Sequence, residues 1–235
     1  MGKIKSTLST LPLVLAILGI AMAIGGFKNM KLYMSGKVLD FNEATVSDLN
    51  KETMTEGNIT FVYGPFAILE TKNTTYGITT SKHETNYYIV GTYDKASFDS
   101  YYEEEEDMDM NYMILQVGDT ALQKRLNTAA TSWIGYLTSN SEYAAVPAVD
   151  INIKGVMAKT STDVEFEKYL QEAKDDLSNI GITDSQYAKL TLREGELKAS
   201  SAYGIFFGGV GLAVIGILIP VILLIKRKRS QSVSW

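Results

Sequence analysis

Hydrophobic residues gather at the two ends of the chain and alternate with polar ones through the middle. From Leu11 to Phe27 no charge interrupts a run through Leu13, Val14, Leu15, Ile17, Leu18, Ile20 and Ile24. Extended back to Leu8, the run reaches about 20 residues, the helix length that crosses ~30 Å of hydrocarbon. A second run, Tyr203 to Ile225, is equally free of charge and stops at Lys226-Arg227-Lys228-Arg229. A charge at mid-bilayer costs several kcal/mol, so these runs predict transmembrane helices over 8–27 and 203–225, bracketing a domain of residues 28–202.

The flanks predict an orientation. Lys226, Arg227, Lys228 and Arg229 form the strongest basic cluster, and the positive-inside rule places the tail 226–235 in the cytoplasm. Two spans then return residues 1–7, with Lys3 and Lys5, to the same side, although Lys28 and Lys31 pull the other way. The first span also has the parts of a signal peptide, with Ala21-Met22-Ala23 as an A-x-A-like cleavage site. Against cleavage, apolar character continues through Ile24, Gly25, Gly26 and Phe27, so an uncleaved anchor is the expected form and the middle is translocated either way. Gly19-xxx-Ala23, Gly204-xxx-Gly208 and Gly209-xxx-Ala213 are small-residue pairs that permit close helix approach. They predict packing of the spans on each other, with dimerisation or docking to another membrane protein as the alternative use.

The middle reads as an α+β domain with a largely antiparallel sheet and about two helices. Strand patterns cover 37–41, 58–63, 66–71, 87–93, 112–117, 149–156 and 187–192, and Gly64-Pro65 reads as a tight connection between two of them. One helix is predicted from Asp119 or Thr120, with a capping box Thr120-xx-Gln123 and a stripe of Leu122, Leu126, Ala129, Ala130, Trp133 and Leu137. A second begins at a capping box Thr162-xx-Glu165, carries Phe166, Leu170, Ala173, Leu177 and Ile180, and ends on Gly181.

Composition narrows the chemistry. Of 235 residues none is cysteine and His83 is the single histidine, which excludes disulfide staples, cysteine zinc sites and the HExxH motif. Residues 28–198 hold all 27 acidic and 16 of the 22 basic residues, a net charge of −11 that repels nucleic acid. Within the acidic run 103–111, Asp107, Asp109 and Asn111 match the opening of an EF-hand loop. Tyr112 stands where that loop needs glycine and Gly118 where it needs glutamate, so a solvated, self-repelling loop is the expected reading. No cofactor is implied: there is no Walker loop, no GxGxxG and no GxSxG elbow. Asn58-Ile59-Thr60 and Asn73-Thr74-Thr75 fit the glycosylation sequon. Among 14 tyrosines, Tyr63, Tyr76 and Tyr88 are the candidates for a ligand wall suited to glycan or peptide, with ordinary sheet packing as the competing role.

The layout resembles a group of small, uncharacterised two-span membrane proteins from Gram-positive, mainly clostridial, bacteria. The resemblance rests on the order of parts: the N-terminal span, a β-rich segment with Tyr76-Gly77 and Tyr87-Tyr88, the Trp133 helix, the 149–156 strand, the acidic helix ending at Gly181 and a glycine-rich final span. It implies a bacterial cell membrane and brings no catalytic residues. The expectation is a non-enzymatic, membrane-anchored protein whose outer domain binds a partner, as an accessory subunit of an envelope or transport complex. A tethered glycan- or peptide-binding module is the alternative, and a membrane-bound hydrolase a more distant one.

Overall fold

The computed structural model describes residues 2–75, 78–93, 110–139 and 145–231, with side chains over 10–72, 81–93, 110–139 and 145–226. In chain order the elements are α1 (Gly2–Ser35), β1 (Val38–Asp40), α2 (Val46–Leu49), β2 (Met54–Ile59), β3 (Phe61–Thr75), β4 (Ile78–Tyr93) and β5 (Met110–Val117). After them come α3 (Thr120–Leu137), β6 (Ile151–Lys159), α4 (Val164–Ser178), a 3-10 turn at Asp184–Gln186, β7 (Tyr187–Glu194) and α5 (Ala199–Gln231). Contacts divide the chain into two compact units, Val38–Glu196 and a helical pair of Met1–Lys37 with Leu197–Trp235.

The first unit is α+β around one seven-stranded sheet in the order β1-β2-β6-β7-β5-β4-β3. Four of its six pairings are antiparallel, and β1–β2 and β5–β7 are parallel. On one face α3 brings Leu126, Ala129 and Ala130 onto Tyr88, Leu115 and Val117, while Phe41 and Leu49 close the far end over Ile59 and Ile153. Gly57 makes room for Phe41: a Cβ there would lie 2.8 Å from the Phe41 ring. On the opposite face α4 lays Phe166, Leu170, Ala173 and Leu177 over Phe61, Ile89, Ile114 and Tyr187. Beyond α4 that face turns polar, where Asn152 donates to Asn58 at 2.8 Å and Lys154 pairs with Glu56 at 3.1 Å.

Local chemistry moves several boundaries from their sequence-based positions. Asp119 caps α3, its carboxylate accepting from Leu122 N–H at 2.7 Å, so the Thr120–Gln123 box does not form. Gln123 instead turns inward and donates to the carbonyls of Val117 and Glu84. Asp163, not Thr162, caps α4 and accepts from the Glu165 and Phe166 N–H groups. An aspartate carboxylate is the stronger acceptor for those unpaired first-turn donors. Gly64-Pro65 is a bulge inside β3 rather than a link between two strands, the register slipping between Tyr63 and Ala67. The strand expected over 58–63 breaks at Thr60, and Val149 and Asp150 precede β6.

In the second unit α1 and α5 run antiparallel along a seam of small residues. A Cβ on Gly19 would lie 2.3 Å from Ala213 N, and one on Gly209 2.4 Å from Ala23 N, so the backbones touch where glycine permits it. The seam extends through Ala16 against Gly216 and Gly26 against Phe206, a 3-4-3 spacing on both helices that keeps one stripe facing the partner. Gly19, Ala23, Gly209 and Ala213 thus pack as expected. Gly204 and Gly208 do not: nothing lies within 4 Å of a Cβ on either, because their positions fall off the stripe. Phe27–Phe206 and Tyr33–Tyr203 rings pack at 5.9 and 5.7 Å toward the end of the pair that leads into the domain. Thr10–Ser35 and Ala199–Lys226 are long and apolar enough to cross a membrane, and only 22% and 17% of their most apolar windows are buried.

Gly19→Leu therefore pushes the helices apart, an overpacking cost of about 1–3 kcal/mol, whereas Gly208→Leu enters open space. Thermal denaturation of the detergent-solubilised chain followed by circular dichroism is expected to show a lowered midpoint for the first and an unchanged one for the second. Equal midpoints would remove the seam.

Candidate functional site

The site begins with how β3 ends the sheet. Its first residues are covered by α3: Trp133 donates its indole N–H to Thr60 O at 2.9 Å and packs at a tilt against Phe61, 4.9 Å between centroids. Past the bulge the strand emerges from that cover. Ala67 pairs with Tyr87 across the ladder, so Ala67 and Leu69 face α4 while Ile68 faces the other side. Ile68 and Leu69 are 57% and 53% exposed, unusual for adjacent large aliphatic residues in a strand.

Between this edge and α4 lie two clefts of about 320 Å³ each, end to end along β3 and meeting at Tyr169. An aromatic trio forms the floor, with Phe166 4.8 Å from Tyr87 and 5.6 Å from Phe66, centroid to centroid. Carboxylates form the rim: Asp163 and Glu165 beside one cleft, Glu172 and Asp176 beside the other. Among the described residues no lysine or arginine lines either cleft, and Lys168 reaches Glu172 only at 3.8 Å on the solvent side of α4. The next cations along the edge are already paired, Lys72 and Lys82 both with Glu70, at 3.5 and 2.7 Å.

Tyr63 ties the strand to the helix by donating its hydroxyl to Asp176 Oδ2 at 2.6 Å. Burial first, then the hydrogen bond and the charge of Asp176, push its phenol up to about 12. Deeper in the same layer Tyr187 is raised further by burial and by Tyr112, Asp184 and Tyr63, with Lys174 Nζ 4.4 Å above its ring.

The expected tyrosine wall is not assembled. Tyr63 lies on the α4 face, whereas Tyr88 is fully buried under α3 and donates its hydroxyl to Asn127 Oδ1 at 2.9 Å. Neighbouring strands pair Tyr63 with Ile89, so Tyr88, one residue away, points through the opposite face. Tyr76 lies outside the described residues, as do Asp107 and Asp109. Asn111, the third member of the cation pattern, is directed inward and donates to Ala44 O at 2.9 Å, which takes it out of any exposed ligand loop. His83 is exposed in β4 opposite Thr71. Lys226 is exposed after the apolar stretch of α5, and the side chains of Arg227, Lys228 and Arg229 lie outside those described. Sequence reasoning passed over Phe66, Ile68, Leu69, Phe166 and Tyr169 as a site; its one trace there is the unbroken apolar run Phe66–Leu69, which an alternating, half-buried strand does not need.

The chain matches no protein-family model and no curated protein.

The raised phenol has a definite sign. Folded Tyr63 holds its proton more tightly than an unfolded tyrosine, whose pKa is about 10, so this contribution to stability is complete below about pH 10 and disappears as pH rises toward about 12. Denaturant titrations across that window should show a shallower loss of stability in Tyr63→Phe than in the unaltered chain. At neutral pH the same change should cost no more than about 1 kcal/mol, since water can replace the half-exposed donor. Parallel alkaline profiles would contradict the Tyr63–Asp176 contact.

Proposed function

We propose that this protein is a membrane-anchored, non-enzymatic binding and assembly subunit of a bacterial cell membrane, with its domain outside and both termini in the cytoplasm. The observation that carries the binding role is the cleft along β3, an apolar floor with an acidic rim beside an exposed strand edge. Such a surface suits a protein segment better than a sugar, which would want polar donors facing a stacked ring. A partner of this kind fits an accessory subunit of an envelope or transport complex.

The membrane reading draws on the helical pair. Their outward aliphatic faces are exposed while the Gly–Ala seam between them is closed. The aromatic residues Phe27, Tyr33, Tyr203, Phe206 and Phe207 gather toward the domain end of the pair, and the basic cluster 226–229 follows the other end. Aromatic rings favour the bilayer interface and basic residues the cytoplasmic side. Ala23 packs against Gly209, so removal of residues 1–23 would strip α5 of most of its seam, which supports a retained first span.

The absence of cysteine makes the topology directly measurable. Lys124→Cys, on the exposed face of α3, is expected to react with a membrane-impermeant maleimide in intact cells, and Ser234→Cys only after permeabilisation. The reverse pattern would overturn the orientation. Purification from native membranes through a tag after Trp235, in mild detergent with crosslinking, is expected to recover a stoichiometric membrane protein; recovery of the bait alone would remove the subunit role.

A further inference from the structure

We infer that the outer edge of β3 is a docking strand for an extended, basic protein segment, which adds to the sheet as an eighth strand and lays alternate side chains into the acidic cleft. This deepens the binding role proposed above and rests on it. Three observations converge on one occupant.

The edge is open where the cleft is. β3 is the last strand of the sheet, and among the described residues no strand pairs with its outer side. Proteins guard such edges with proline, bulges or charge, because unpaired N–H and C=O groups recruit strands. Pro65 and the bulge guard 63–66, and the Glu70, Lys72, Lys82 and Glu84 lattice guards the hairpin beyond. Ala67, Ile68 and Leu69 between them carry neither device.

The opening is apolar on both sides. Leu69 faces the cleft and Ile68 the opposite side, each more than half exposed. A strand added about 4.8 Å out would cover both, since its own side chains alternate with the same period.

The charge selects the partner. Asp163, Glu165, Glu172 and Asp176 line the clefts, and among the described residues no basic one joins them. The matching segment carries lysine or arginine alternating with aliphatic residues, so that its cations lay their alkyl stems across Leu69 and reach the rim while its aliphatic side chains cover Ile68 on the opposite face. A second copy of this chain would instead bring its own four carboxylates against these four.

The test uses the full-length chain in lipid nanodiscs and a short fluorescent peptide of alternating lysine and valine. Two derivatives are N-methylated, one on every lysine and one on every valine, because a docked strand turns only alternate N–H groups toward β3. The parent peptide is expected to bind saturably, one methylated form to bind as well as the parent, and the other to be weakened at least about tenfold. Glu165→Lys with Glu172→Lys, two exposed positions, is expected to weaken the parent by about tenfold. Circular dichroism checks the fold of that variant, and should it fail to fold, the methylated pair decides alone.

Equal binding of all three peptides would reduce the effect to loose charge adhesion and overturn the inference, as would no binding at millimolar peptide. Leu69→Cys forming a disulfide dimer in peptide-free membranes would assign the edge to a second copy and overturn it too. A native partner that still co-purifies with the Glu165→Lys, Glu172→Lys chain would leave the subunit role standing and remove this inference, whereas failure of the unaltered chain to recover any partner would remove the role itself.

Discussion

Four consecutive residues of β4, Tyr87, Tyr88, Ile89 and Val90, are all buried, and so are Tyr112 to Leu115 beside them in β5. Side chains of a strand alternate between faces, so a run of this kind needs a protein layer on both sides. Phe166 and Leu177 of α4 meet one set, and Leu126 and Ala130 of α3 meet the other. The three-layer arrangement follows, and with it the placing of β4 and β5 inside the sheet rather than at its edge. It also decides where cover runs out. The Phe166–Tyr87 contact brings α4 over the inner strands, while the outermost strand projects past it at Ile68 and Leu69.

Polar side chains then hold the irregular pieces against this core. Asn42 donates to Asn58 O and to Thr92 Oγ1, both at 2.7 Å, and its own oxygen accepts from Asn58 N–H at 2.6 Å. Asn111 secures Ala44 in the same way. These bonds satisfy groups that would be costly to bury alone, and they seat Phe41 and Leu49 over the half of the sheet that α3 does not reach.

Much of this architecture is written plainly in the amino-acid order, and the exceptions have physical reasons. The terminal helices, the α+β class and the core stripes of α3 and α4 follow from charge-free length and helical spacing, signals local to the chain. Gly64-Pro65 misleads because glycine and proline mark a bulge as readily as a turn, and only the partner strand separates the two. Tyr63 and Tyr88 look alike in sequence, yet their strands carry them to opposite faces. Gly204 and Gly208 have the spacing of a packing pair, but the register against α1 selects Gly209 and Ala213. The cleft was the least legible part, since an exposed Leu69 signifies something only once β3 is known to be the last strand.

The closed seam between α1 and α5 has a consequence for the domain strung between them. The two helices deliver its ends side by side, with Tyr33 and Tyr203 rings 5.7 Å apart, so the intervening chain is a loop whose ends stay pinned even if the domain melts. Pinning lowers the conformational entropy of the melted state much as a covalent cross-link does, and for a loop of this length that amounts to about 5 kcal/mol in the chain-entropy picture. A chain without a single cysteine can obtain from two paired terminal helices the kind of stabilisation that secreted domains obtain from a disulfide.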